Sequence, residues 1–175
     1  MAIFKAAYIF FVSAVILASS SVSANDLNKS LHTIKNFHFV SPDLASSGIL
    51  DLKSYQFIER YGFKHVINLI PGNQDEERAH VKSLGMSYQQ IAVNWDEPTL
   101  QDFEAFVALM KQYGKDKVFV HCELNWRGST FVYLYRVTQL GVPIEQANKD
   151  LTKIWKPSTN WQYFIDQVLF AYSKD

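Results

Sequence analysis

Val118-Phe119-Val120-His121-Cys122-Glu123-Leu124-Asn125-Trp126-Arg127-Gly128-Ser129-Thr130 carries the only cysteine of a 175-residue chain, at the point where an apolar run gives way to a helical pattern. Val, Phe and Val in succession suit a strand buried on both faces, so Cys122 is expected just past the end of a central strand. A tight strand-to-helix loop turns successive backbone N–H groups inward. Together with the positive end of the next helix, they make a concave site for a tetrahedral anion. A field of that sign favours a sulfur anion over the thiol. Arg127 adds a planar fork of donors that matches two oxygens of a phosphate or sulfate. Glu123, Leu124, Asn125, Trp126, Arg127, Gly128 and Ser129 are therefore the expected anion-binding loop. Asn125 sits where a short loop needs positive φ, which Asn tolerates better than most residues. Ser129 is placed to donate a hydrogen bond to the sulfur. His121 suits a brace better than a base, because a thiolate stabilised by its loop needs no proton acceptor.

Working outward, helix and strand patterns alternate. Leu52, Tyr55, Ile58 and Tyr61 recur at helical spacing ahead of Gly62, and 63–70 is dense in Val, Ile and Leu up to Pro71-Gly72. Asn73 reads as the N-cap of a helix with Glu76 at its third position, ending near Gly85, and 86–93 reads as another strand. Thr99, with Asp102 three residues on, caps a helix whose stripe is Leu100, Phe103, Val107 and Met110. A strand over 117–121 and a helix over 128–140 follow, then helices over 143–153 and 160–172. This alternation predicts a single α/β domain with a mainly parallel central sheet flanked by helices. Ligands of such sheets bind beyond the carboxyl ends of the strands, which singles out the loops 94–98 and 122–128.

Residues 1–24 read as an export signal: Lys5 in the n-region, an apolar stretch broken only by Ser13, and Val22-Ser23-Ala24 as a cleavage site. The organisation expected is a signal peptide over 1–24, an N-terminal leader over 25–45, polar and loosely held as far as Lys35 and then aromatic-rich with a short strand over 37–40, and a catalytic domain over 46–175, exported to a periplasm or secreted. Contact with a membrane is expected only through the signal segment, if it stays uncleaved. With 17 Lys+Arg against 17 Asp+Glu, no basic excess supports a nucleic-acid partner. The five histidines show no ligand spacing and one cysteine cannot build a structural zinc site, so no metal and no cofactor are expected. In an oxidising compartment the lone Cys122 has no intrachain partner, so its sulfur is either inert or used.

His121-Cys122 followed by Arg127 and the hydroxyl of Ser129 resembles the phosphate-binding loop of cysteine-dependent protein tyrosine phosphatases, in particular the bacterial proteins similar to dual-specificity phosphatases. The resemblance runs from about Ser46 onward through Ser47-Gly48, Val66-Ile67-Asn68-Leu69, Trp95-Asp96-Glu97-Pro98-Thr99 and the cysteine loop. It implies a phosphoric monoester hydrolase in which Cys122 attacks phosphorus, Arg127 binds phosphoryl oxygens and Asp96 protonates the leaving oxygen. The substrate would be a phosphorylated small molecule or phosphoprotein. Four residues separate Cys122 from Arg127 where the family usually has five, and the loop glycine is missing. Ser129 keeps the family's spacing from the cysteine, so the arginine comes one place early and Gly128 takes its slot. Some bacterial members are similar in this shorter spacing. That spacing also resembles rhodanese-like sulfurtransferases, which would carry a persulfide on Cys122 and need no acid loop. A catalytically silent anion-binding domain is the third expectation. Asp96 favours the phosphatase, because a departing alkoxide or phenoxide needs a proton; Glu97 as the acid, or both residues as solvated acids near a helix N-terminus, are the alternatives for this loop.

Overall fold

A computed structural model describes residues 24–173; the export signal expected over 1–24 lies outside them but for its last residue. Five strands form one sheet: β1 (His38–Ser41), β2 (Leu44–Ser47), β3 (His65–Asn68), β4 (Ser87–Gln90) and β5 (Val118–His121). Their spatial order is β1-β2-β5-β3-β4, with β1 antiparallel and the rest parallel. The expected architecture, a single α/β domain around a mainly parallel sheet, is the one observed. The helices are α1 (Ala24–Leu31), α2 (Tyr55–Arg60), α3 (Asp75–Ser83), α4 (Leu100–Tyr113), α5 (Trp126–Thr138), α6 (Ile144–Ile154) and α7 (Thr159–Tyr172).

Two apolar clusters cover the two faces of the sheet, and strand alternation decides which residue meets which. Val118, Val120 and Cys122 join Leu44, Ile67 and Leu69 against Phe103, Phe106, Phe131 and Trp161 of α4, α5 and α7. Phe119 joins Ala45 and Val66 against Leu31, Tyr55, Ile58 and Val81 on the opposite face. His121, in phase with Phe119, stacks on it at 14° and faces Tyr55. The period of two thus sends the cysteine to one side of the sheet and its preceding histidine to the other.

Three boundaries differ from expectation. The segment read as a loose leader is helical over α1, and Leu31 and Ile34 are buried in the core; the expected domain start at 46 falls inside β2. Two apolar side chains near the end of a polar helix are enough to dock it, and they are invisible to a composition argument. Asn73 is not the cap of α3: Gln74 is, while Asn73 Oδ1 accepts from the Asp75 N–H at 2.8 Å in a local turn. α5 begins at Trp126, two residues earlier than the sequence pattern suggested, which places Arg127 in its first turn. The capping box of α4 is present as expected, with Thr99 accepting from the Asp102 N–H at 3.1 Å and Asp102 accepting from the Thr99 N–H at 3.0 Å.

Candidate active site

Parallel register aligns Ser47, Asn68 and His121 across β2, β3 and β5, so the segments that follow them emerge at one edge. Beyond it lies a cavity of about 360 Å³ lined by Trp95, Cys122, Glu123, Leu124, Trp126 and Arg127. Cys122 retains 1% exposure and Arg127 6%, so both line the cavity from a nearly buried position. Nε of Arg127 has no hydrogen-bond partner in the protein, and its Nη1 stands 3.7 Å from Glu123 Oε2. Its guanidinium carbon lies 5.5 Å from the centroid of the Trp95 ring. A buried cation with an unused donor beside a thiol suits capture of an anion.

Asn125 adopts the left-handed conformation expected of it, φ 64°, and serves as the N-cap residue of α5. Its side chain turns away from the cavity. Nδ2 donates to the Asn36 carbonyl at 2.7 Å, and Asn36 Nδ2 in turn donates to the Leu124 carbonyl at 2.9 Å. Gly128 is buried beneath it: a Cβ there would lie 2.7 Å from Asn125 Oδ1. Asn125, Gly128 and Ser129 therefore shape the loop from behind without lining the cavity. The hydroxyl of Ser129 donates to the Asn125 carbonyl at 2.6 Å, where the sequence suggested a bond to the sulfur. A serine in the first turn of a helix finds the carbonyl four residues back closer than any other acceptor.

His121 is fully buried. Its Nε2 lies 2.9 Å from Glu77 Oε1 and 3.2 Å from the Tyr55 hydroxyl. It lies on the face of the sheet opposite to Cys122, as a brace would. Glu77 also accepts from Asn68 Nδ2 at 3.0 Å, and Asn68 Oδ1 accepts from the Ile70 N–H at 2.6 Å, so one polar network ties the ends of β3 and β5 to α3. Burial raises the Glu77 carboxyl. The hydrogen bond and charge of His121, with the Tyr88 and Tyr55 hydroxyls, outweigh it and hold the group below the usual carboxylate range. Burial first, and then the Glu77 charge, push the Tyr55 hydroxyl far up.

Asp96 is exposed and lines a neighbouring groove with Glu97, Thr99, Asn160 and Tyr163, not the cysteine cavity. The residue that reaches the cavity from this loop is Trp95. Its carbonyl accepts from Trp161 Nε1 at 3.1 Å, and the Asp96 carbonyl accepts from Asn160 Nδ2 at 2.8 Å, so the start of α7 holds the loop by its backbone. All four tryptophans gather here: Trp95 lies 5.5 Å from Trp126 and 5.1 Å from Trp161, and Trp126 stacks on Trp155 at 5.2 Å and 6°. Sequence reasoning missed Asn36, Tyr55 and Glu77. Asn36 stood in a polar stretch with no periodicity, Tyr55 read as one member of a helical stripe, and Glu77 as an ordinary acid of a helix's first turn.

No family model and no curated protein matches the chain. Among solved structures, a candidate phosphatase of the DUF442 group from Shewanella putrefaciens CN-32 is 33% identical over 82% of this chain and 97% of its own, with a TM-score of 0.73. The core catalytic domain of the PP-IP phosphatase SIW14 from S. cerevisiae superposes at TM-score 0.66 with 18% identity, covering 81% of this chain and 93% of its own. TpbA of P. aeruginosa does so at 0.65 with 17% identity, covering 81% and 92%. The last two likenesses are of fold.

Proposed function

This chain belongs to the DUF442 phosphatase-like family, within the fold of cysteine-dependent tyrosine and dual-specificity phosphatases, and from that membership we propose that it is an exported phosphomonoesterase whose nucleophile is Cys122. The observation that carries the proposal is the shared cavity of Cys122 and a buried Arg127 guanidinium with an unused Nε donor. A phosphomonoester enters with its phosphoryl group toward the sulfur. The Cys122 sulfur forms a bond to phosphorus as the ester oxygen leaves with its electron pair, and Asp96 delivers a proton to that oxygen. Arg127 and the loop amides hold the equatorial oxygens through this step. Water, giving its proton to Asp96, then attacks phosphorus; the S–P bond breaks and inorganic phosphate leaves. The Asp96 carboxylate is exposed in the neighbouring groove, next to Trp95 at the cavity wall, and its role as the acid rests on the family resemblance. The Trp95 and Trp126 rings that wall the cavity suit an aryl leaving group such as that of phosphotyrosine. Export rests on the character of residues 1–24.

Hydrolysis of p-nitrophenyl phosphate by the mature protein tests the mechanism. Cys122→Ser is expected to abolish turnover, and Asp96→Asn to lower kcat by about 10²–10⁴. Brief incubation of Asp96→Asn with ³²P-labelled aryl phosphate should leave label on the protein, and none on the Cys122→Ser, Asp96→Asn double variant. Turnover that survives Cys122→Ser would overturn the assignment. Thiocyanate formed from thiosulfate and cyanide, without phosphate release, would replace it with sulfur transfer.

A further inference from the structure

We propose that Asn36, in the segment ahead of β1, is a positioning residue that keeps the shortened cysteine loop in its anion-binding shape. Asn36 and Asn125 are 89 residues apart and both left-handed, at φ 49° and 64°; they are the only non-glycine residues with positive φ among those described. They clasp each other: the Asn36 side chain donates to the Leu124 carbonyl, and the Asn125 side chain donates to the Asn36 carbonyl. Beside this clasp the Lys35 carbonyl accepts from the Gly48 N–H at 2.7 Å, and the Glu123 carbonyl accepts from the Ile49 N–H at 3.0 Å. The three segments touch backbone to backbone at Gly48, where a Cβ would lie 2.9 Å from the Glu123 oxygen and 3.1 Å from the Lys35 oxygen.

The consequence follows from peptide planarity. A trans peptide points its C=O and N–H in opposite directions, so turning the Glu123 and Leu124 carbonyls outward toward Ile49 and Asn36 turns the Leu124 and Asn125 N–H groups to the opposite side. The loop has no glycine between Cys122 and Arg127. Left alone, Asn125 would relax from positive to negative φ, the region L-residues prefer. That rotation flips the 124–125 peptide and presents the Leu124 oxygen where an amide stood, a lone pair facing the incoming anion. The bond from Asn36 Nδ2 to the Leu124 oxygen opposes the flip. A loop one residue shorter than usual thus borrows its conformational lock from a distant part of the chain.

The anion readout of this proposal rests on the phosphatase role above; a second readout does not. Asn36→Asp keeps the side-chain shape and removes the donor. Asn36→Gly keeps the left-handed backbone and the carbonyl that Asn125 uses, and serves also if Asn36→Asp fails to fold. Both variants should weaken inhibition of p-nitrophenyl phosphate turnover by orthovanadate about tenfold, the scale of one lost hydrogen bond. Both should also speed hydrogen exchange at the Leu124 and Asn125 amides. A purely structural asparagine would lower Tm and leave both quantities alone. Vanadate inhibition and exchange within twofold of wild type in Asn36→Gly would overturn the proposal. If wild type neither turns over phosphomonoesters nor binds vanadate, the phosphatase role fails, and the exchange measurement decides on Asn36 by itself.

Discussion

Gly128 shows how one missing methyl group shapes the loop. In the first turns of a helix, Gly→Ala ordinarily stabilises by about 0.5–1 kcal/mol. Here the new Cβ would sit 2.7 Å from Asn125 Oδ1, and that carboxamide cannot swing aside freely because its Nδ2 is bonded to the Asn36 carbonyl. The clash therefore decides the sign. Gly128→Ala is expected to lower Tm instead of raising it and to reduce aryl phosphate turnover along with it; a gain in Tm with activity unchanged would contradict the packing described. The same residue-scale logic separates Cys122 from His121. They are adjacent in the chain, but strand alternation puts one in the cavity and the other against Glu77 and Tyr55.

At the scale of elements, α4 and α7 set where the 94–98 loop lies. The Thr99–Asp102 capping box starts α4 directly after residues 94–98, and Asn160 and Trp161 at the start of α7 grip the loop's carbonyls. Thr99→Ala removes one side of the box and should cost about 1 kcal/mol, a fall in Tm of roughly 2–4 °C for a domain of this size. Thermal unfolding followed by circular dichroism checks it; an unchanged Tm would mean that the box contributes nothing. This capping box was legible from spacing alone, because Thr and Asp three residues apart can satisfy each other's backbone donors in few other conformations. The start of α5 was not legible. Its Trp126-Arg127 opening has no side-chain cap, and the helix begins where it does because Asn125 turns left-handed under a tertiary bond.

For the whole molecule, two buried or half-buried carboxylates tie distant segments together and give the fold an acid limit. Glu77 joins α3 to β3 and β5. Asp150 accepts from Arg136 at 2.7 Å and lies 2.8 Å from His38 Nε2, joining α6 to α5 and β1. Burial raises the Asp150 carboxyl, but bonds from Arg136, His38 and Lys153 outweigh it, so both acids lie below their ordinary range when folded. A depressed carboxylate stabilises the fold above its unfolded value, about 3.9–4.3, and loses that contribution as pH falls through the folded value. Tm should therefore hold steady above about pH 5 and drop as pH falls below about 4, with a shallower acid limb in Glu77→Gln. A Tm indifferent to pH between 5 and 2.5 would refute this account.

Local chemistry was enough to settle the succession of helices and strands from α2 onward, the central strand ending just before Cys122, the tolerance of Asn125 for positive φ and the juxtaposition of thiol and guanidinium. Each follows from side-chain period, φ preference or donor geometry over a few neighbouring residues. The docking of α1, the Asn36 clasp, the Glu77 network behind His121 and the outward placement of Asp96 were decided by the folded chain. They join residues from 44 to 89 positions apart, or turn on which of two cavities a side chain enters. Contacts of that kind depend on how layers pack across the sheet, and no short stretch of sequence encodes which surfaces will meet.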